Sequence, residues 1–118
     1  CEDWKHEWAI ERLSIIFNCP GFFGYLVENE GNIIGGILSR KASYQGEYEL
    51  EVEELFVSSK HQGKGIGSSL ISRLKISAKE NGISALVLLT ELGTPAEDFY
   101  LKREFKTKEN TLFMYHNV

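Results

Sequence analysis

The stretch Glu47-Tyr48-Glu49-Leu50-Glu51-Val52-Glu53-Glu54-Leu55-Phe56-Val57, a polar link at residues 58–61, and then Gln62-Gly63-Lys64-Gly65-Ile66-Gly67 decide how this chain is read. Charged and apolar residues alternate through the first part, as in a strand with one face toward a core. The glycine-rich part runs directly into an amphipathic helix. A strand, a glycine turn and a helix N-terminus together form an anion site. The first N–H groups of the helix have no internal partner, and the macrodipole places partial positive charge there. Glycine lets that backbone approach a phosphate with no Cβ in the way. A phosphate-bearing ligand is therefore expected at Gln62, Gly63, Lys64, Gly65, Ile66, Gly67 and Ser68.

Two common nucleotide loops do not fit. A Walker A loop requires Gly-x-x-x-x-Gly-Lys followed by Ser or Thr. A dinucleotide fingerprint requires Gly-x-Gly-x-x-Gly after a first strand. Here the spacing is Gly-x-Gly-x-Gly, past the middle of the chain.

Downstream, Ile66, Leu70, Leu74 and Ala78 recur every four residues, predicting a helix over 68–81 with Gly82 as its C′ residue. Residues 85–90, Ala-Leu-Val-Leu-Leu-Thr, read as a strand buried on both faces. Strand, helix, strand implies a right-handed crossover and a parallel pair. Thr94-Pro95-Ala96-Glu97 starts a second helix, with Thr94 as N-cap, Pro95 at N1 and Glu97 closing a capping box. Residues 105–108 and 111–116 read as a last hairpin turning at Glu109-Asn110.

Upstream, Ala9, Leu13, Ile16 and Phe17 share one helical face, and Asn18-Cys19-Pro20-Gly21 ends that helix. Trp4 and Trp8 lie one turn apart, as packing anchors or as a wall over an acceptor pocket. Residues 22–28 and 33–40 read as strands joined by Asn29-Glu30-Gly31-Asn32. Gly35-Gly36 marks a bulge or a close backbone approach. Residues 41–46 read as a polar connection.

Composition bounds the rest. The 118 residues suit one domain, 1–118. No apolar run reaches the ~20 residues of a membrane span. Two Cys without a disulfide framework fit a reducing, cytoplasmic setting. The Cys and His residues show no ligand spacing, so no metal is expected. With 17 acidic against 13 basic side chains, the net charge of −4 disfavours nucleic acid and suits a cationic partner.

Two motifs together carry a resemblance. Gln62-x-x-Gly65-x-Gly67 after Leu55-Phe56-Val57 resembles the coenzyme A pyrophosphate loop of the GCN5-related N-acetyltransferase (GNAT) superfamily. Ala96-Glu97-Asp98-Phe99-Tyr100-Leu101-Lys102-Arg103-Glu104-Phe105 resembles its second signature, with Glu104 where glycine is usual and Thr94 near a position often held by asparagine. The resemblance implies a mixed α/β fold: a central, mostly antiparallel sheet with one splayed parallel pair and flanking helices. Such folds usually open with one more strand, so the chain is expected to begin inside the domain. It also implies acetyl transfer from acetyl-CoA to a primary amine, with Leu55, Phe56, Val57, Thr90, Phe99 and Tyr100 joining the glycine turn as coenzyme contacts.

That chemistry has three requirements. Backbone N–H groups around Phe56 and Val57 must polarise the thioester carbonyl. A base must take a proton from the amine, whose ordinary pKa is ~10.4. Glu49, Glu51 and Glu53 alternate onto one strand face, and Glu51 and Glu53 match the family's catalytic or substrate-binding positions. Glu54 falls on the other face unless a bulge shifts the register. Finally, the leaving thiolate must be protonated, a role for which Tyr100 matches the family's general acid. The acceptor is expected to be a small cationic amine, aminoglycoside-like or polyamine-like. A protein lysine or N-terminus, or a non-catalytic acyl-CoA-binding module, are the alternatives. Pairing of edge strands is the route by which a homodimer would form.

Overall fold

The computed structural model describes residue 11 and residues 14–118. The Trp4, Trp8 and Ala9 readings, with those on Leu13, Cys1 and His6, lie outside the described residues. Residues 14–17 are helical, and Ile16 is buried. The helix ends as its sequence predicts. Asn18 and Cys19 turn their side chains back onto the carbonyls of Ser14 and Ile15, and Gly21 takes a φ of 78°.

Four strands form one sheet in chain order: β1 (Phe22–Asn29), β2 (Asn32–Tyr44), β3 (Glu47–Val57) and β4 (Ala85–Val87). The β1–β2 and β2–β3 pairs are antiparallel, and β3–β4 is parallel. Between β1 and β2, Glu30 and Gly31 both have positive φ, as a two-residue type I′ turn requires. The same device recurs at Gln45-Gly46. Residues 41–44, expected in a polar connection, instead lengthen β2, because this tight turn lets Lys41, Ala42, Ser43 and Tyr44 pair with Leu50, Glu49, Tyr48 and Glu47.

One face of the sheet packs on helix α1 (Ile66–Glu80). Ile37 and Leu50 meet Leu70, Ile71, Leu74 and Ala78 there, with Val52 and Leu55 packed alongside. Fully burying each such side chain contributes about 1.5–3 kcal/mol. Gly35 and Gly36 are sites of close approach. A Cβ on Gly35 would lie 3.0 Å from the Phe56 carbonyl and 3.3 Å from Ile66, and one on Gly36 would meet the Phe56 ring. α1 closes in a Schellman motif: Gly82 N–H donates to Lys79, Ile83 N–H donates to Ala78, and Gly82 has φ 71°.

Helix α2 (Pro95–Lys102) starts from Thr94, whose hydroxyl accepts from Glu97 N–H. The Glu97 carboxylate accepts from Gly93 N–H at 2.8 Å, one residue before the position a capping box would use. α2 closes through the same pattern as α1, with Phe105 N–H donating to the Tyr100 carbonyl and Glu104 N–H to Leu101. Here Glu104, not glycine, has φ 69°.

Two expected strand regions differ. β4 covers only Ala85–Val87, and residues 105–118 form no strand among the described residues. Pairing of β3 with β4 stops at Glu51–Val87, although β3 runs on to Val57. Past that point the parallel strands part, and residues 88–90 have no ladder to join.

Candidate active site

The gap opens where β3 bends. Leu38 pairs with Glu54 and Ser39 with Val52, which leaves Glu53 as an extra, bulged residue. The bulge resets side-chain parity. Leu50 and Val52 face α1 before it, and Leu55 faces α1 after it. Glu51 and Glu54 therefore face away from α1, and Glu53, which shares Arg40 with Glu51, lies on that side as well.

Arg40, opposite Glu51 on β2, donates through Nη2 to Glu51 at 2.7 Å and through Nε to Glu53 at 3.0 Å. These contacts raise the guanidinium pKa, the Glu53 hydrogen bond acting most and the charge of Glu51 next. The acidic strand thus carries its own counter-ion. Its partners are half-exposed, so each pair contributes on the order of 0.2–1 kcal/mol.

The backbone at the gap can be read from hydrogen bonds. Ser58 N–H donates to the Ile34 carbonyl of β2. Alternation then turns Phe56 N–H toward β2 and leaves Leu55 and Val57 with N–H groups aimed at the β4 side. Phe56 contributes its ring, packed at Gly36, rather than a donor to the gap. The Gln62 side chain donates to the Val57 carbonyl at 3.1 Å and ties the glycine turn to the strand.

In that turn Gly63 and Gly65 have φ of 76° and 83°, and nothing lies within 4 Å of where their Cβ atoms would be. Positive φ is what demands glycine, and the space above the turn is open. Gly65 is the N-cap of α1, no side chain caps the helix, and its first turn holds no acidic residue. The N–H groups of Ile66, Gly67 and Ser68 begin the helix and lie beyond the reach of its internal ladder. Uncapped donors beside open space fit a pyrophosphate. Gly67 also permits close packing, since a Cβ there would lie 3.0 Å from the Phe99 ring.

α2 brings the remaining groups. Tyr100 is half-buried between Phe99 and Phe105, with ring centroids 5.4 and 5.3 Å away. Burial raises the phenol pKa above its ordinary 10.0, and the negative charge of Glu54 raises it further. Arg103 donates to Ser68 Oγ at 2.6 Å and to the Phe99 carbonyl, and stacks 3.7 Å over the Phe99 ring. A fixed guanidinium therefore stands at the α1 N-terminus. Sequence reasoning missed this residue, whose only signal was a basic side chain at the end of the Phe99-Tyr100 helix. Thr90 is exposed and lies past the end of β4.

The sequence model of the acetyltransferase (GNAT) family matches residues 1–105. The chain belongs to that family. Among curated proteins it is similar to N-acetyltransferase 8 of Rattus norvegicus, 34% identical over 70 residues, a match covering 58% of this chain and 32% of that protein. The chain thus matches about a third of that relative's length. Several solved structures share the fold. An aminoglycoside acetyltransferase from an uncultured soil metagenomic sample, in complex with sisomicin, superposes with TM-score 0.77 at 22% identity, covering 92% of this chain and 73% of that one. A ribosomal-protein-alanine N-acetyltransferase from Brucella melitensis gives 0.76 at 18%, covering 98% and 83%. An integron cassette protein from the mobile metagenome of V. cholerae gives 0.80 at 18%, covering 99% and 76%. The mixed sheet with one parallel pair is the GNAT architecture. No helix among the described residues is long and apolar enough to cross a membrane.

Proposed function

We propose that this chain forms a single acetyltransferase domain that transfers an acetyl group from acetyl-CoA to a primary amine of a small cationic molecule. The observation that carries this reading is the parting of β3 from β4 between an uncapped glycine-turn helix and Tyr100. GNAT proteins generally take acetyl-CoA as acyl donor, and here its thioester would supply the activated carbonyl. Residues 62–68 would hold the pyrophosphate, with Arg103 beside Ser68 adding charge. The N–H groups of Leu55 and Val57 would polarise the carbonyl.

The bulge bears on the choice of base. Glu51 and Glu53 both accept N–H donors from Arg40, whereas Glu54 acts on the Tyr100 phenol. We therefore assign the base to Glu54, directly or through a water, and assign Glu51 and Glu53 with Arg40 to the frame that meets the cationic acceptor. As the amine nitrogen bonds to the carbonyl carbon, its proton passes to Glu54. The carbon–sulfur bond then breaks, and Tyr100 donates its proton to the departing sulfur. A cytoplasmic location belongs to the same proposal.

Calorimetric titration with acetyl-CoA, against NADH and ATP, tests the donor. Thiol release across polyamines, aminoglycosides and short peptides tests the acceptor. Selective acetyl-CoA binding with turnover of small polycations is expected. Binding without thiol release for any amine would point to a non-catalytic coenzyme module, and peptide-only turnover would overturn the acceptor class.

A further inference from the structure

A charge taken partly out of water is ordinarily paired. Arg103 is half-buried, and among the described residues no carboxylate pairs with it. Neutral groups hold its guanidinium instead. Nε donates to Ser68 Oγ at 2.6 Å, Nη1 donates to the Phe99 carbonyl at 2.9 Å, and Cζ lies 3.7 Å from the Phe99 ring centroid. The neighbourhood adds positive charge rather than cancelling it. Ser68 stands in the first turn of α1, where the macrodipole is positive, no side chain caps the helix and no acidic residue enters. Without an anion, the guanidinium and the helix terminus repel each other across the Ser68 contact. With an anion between them both are drawn to it, and the contact tightens.

Phe99 carries that contact into α2. Its ring lies under the guanidinium, 3.0 Å from where a Cβ on Gly67 would stand, and edge-on to Tyr100 at 5.4 Å between centroids. Its carbonyl is among the last four of α2, which have no helical N–H partner, and the guanidinium supplies one. The backbone bonds that close α2 follow at once, from Arg103, Glu104 and Phe105 onto Tyr100 and Leu101. Arg103 thus ties the start of α1 to the end of α2, and the ring beside Tyr100 is the middle of the tie.

We propose that Arg103 is a positioning residue through which the phosphate end of the coenzyme fixes α2 and so sets Tyr100 at the gap between β3 and β4. This rests on acetyl-CoA seating its pyrophosphate at residues 62–68. The thioester and its proton donor are then brought together by a part of the donor molecule that does not react. Binding energy from that remote end serves orientation at the reacting end. A donor without phosphates would occupy the gap and leave the helix that carries Tyr100 unfixed.

Hydrogen exchange read amide by amide tests this, with acetyl-CoA and S-acetylpantetheine, which carries no phosphate, as the two probes. In the parent chain acetyl-CoA should slow exchange at residues 62–68 and, by roughly tenfold, at 103–105. S-acetylpantetheine should leave 103–105 unchanged. In Arg103→Ala, acetyl-CoA should still protect 62–68 and lose its effect on 103–105. Its affinity should fall by about the same tenfold, since the coupling is reciprocal. Arg103→Lys keeps the charge without the planar fork or the ring stacking. It should behave in the same way, and it decides the matter if Arg103→Ala does not fold. Thiol release should fall further with acetyl-CoA than with S-acetylpantetheine in either variant. The coupling is overturned, with the coenzyme site left standing, if acetyl-CoA protects 62–68 but not 103–105 in the parent chain. Protection of 103–105 by S-acetylpantetheine, or undiminished protection by acetyl-CoA in the variants, overturns it equally. No protection of 62–68 in the parent chain would overturn the coenzyme site itself, and the coupling with it.

Discussion

At the scale of the residue, Tyr100 and Glu54 form the pair most open to test. The phenol titrates above 10.0, from burial first and from Glu54 second. Because its native pKa is raised, its contribution to stability is fully present below the ordinary tyrosine value and is lost as pH rises through the native value. Tyrosinate absorbance should show one late-titrating phenol that Tyr100→Phe removes and that Glu54→Gln shifts to lower pH. Both variants should lower turnover about a hundredfold or more with acetyl-CoA affinity nearly intact, as loss of a positioned acid or base does. Arg40→Ala makes the contrast: it should raise the KM for the cationic acceptor without moving the Tyr100 titration. Glu104 offers a separate test. It holds φ 69°, where a non-glycine residue is strained by roughly 1–2 kcal/mol. Glu104→Gly returns part of that as unfolded-chain entropy, so denaturant unfolding should show a net gain of about 0.5–1 kcal/mol.

At the scale of the element, the turn-and-helix unit was the most legible part of the sequence. Its signals are local: positive-φ glycines, an uncapped first turn and a four-residue apolar period. Gly65→Ala and Gly82→Ala make a matched pair. Both positions have φ above 70° with open space around the missing Cβ, so each should lose about 1 kcal/mol of stability. Only Gly65→Ala should also weaken acetyl-CoA binding, and calorimetry on the two decides it. What the sequence did not disclose depends on pairing between segments. The extension of β2 to Tyr44 rests on the Gln45-Gly46 turn, which polar residues 41–46 concealed. The bulge at Glu53 cannot be seen from one strand alone, because it is a mismatch of count between β2 and β3. Without it, alternation singled out Glu51 and Glu53, and Arg40 had no visible partner. Arg103 was hidden for the same reason, since its contact with Ser68 joins two helices.

At the scale of the whole molecule, the sheet divides the work between its faces. One face packs on α1, and the other presents Glu51, Glu54 and Arg40. The proposed coenzyme site joins β3, the α1 N-terminus and α2, so a ligand there links segments distant in the chain. Acetyl-CoA at a hundredfold excess over its Kd should stabilise the fold by about 2.7 kcal/mol. A thermal scan should register this as a rise in Tm that NADH does not reproduce.

The three residue pairs between β3 and β4 have a consequence for how the molecule assembles and breathes. β1, β2 and β3 are neighbours in sequence, joined by two tight hairpins, and such local contacts close early. The seam from Glu49–Ala85 to Glu51–Val87 joins segments separated in the chain by the whole of α1, a non-local contact that is expected to close later. Glu54 stands on the early side of that seam and Tyr100 on the late side. The proposed chemistry would therefore wait until this pairing forms, and in the folded protein amides at this seam should exchange with solvent ahead of those in the three-stranded meander.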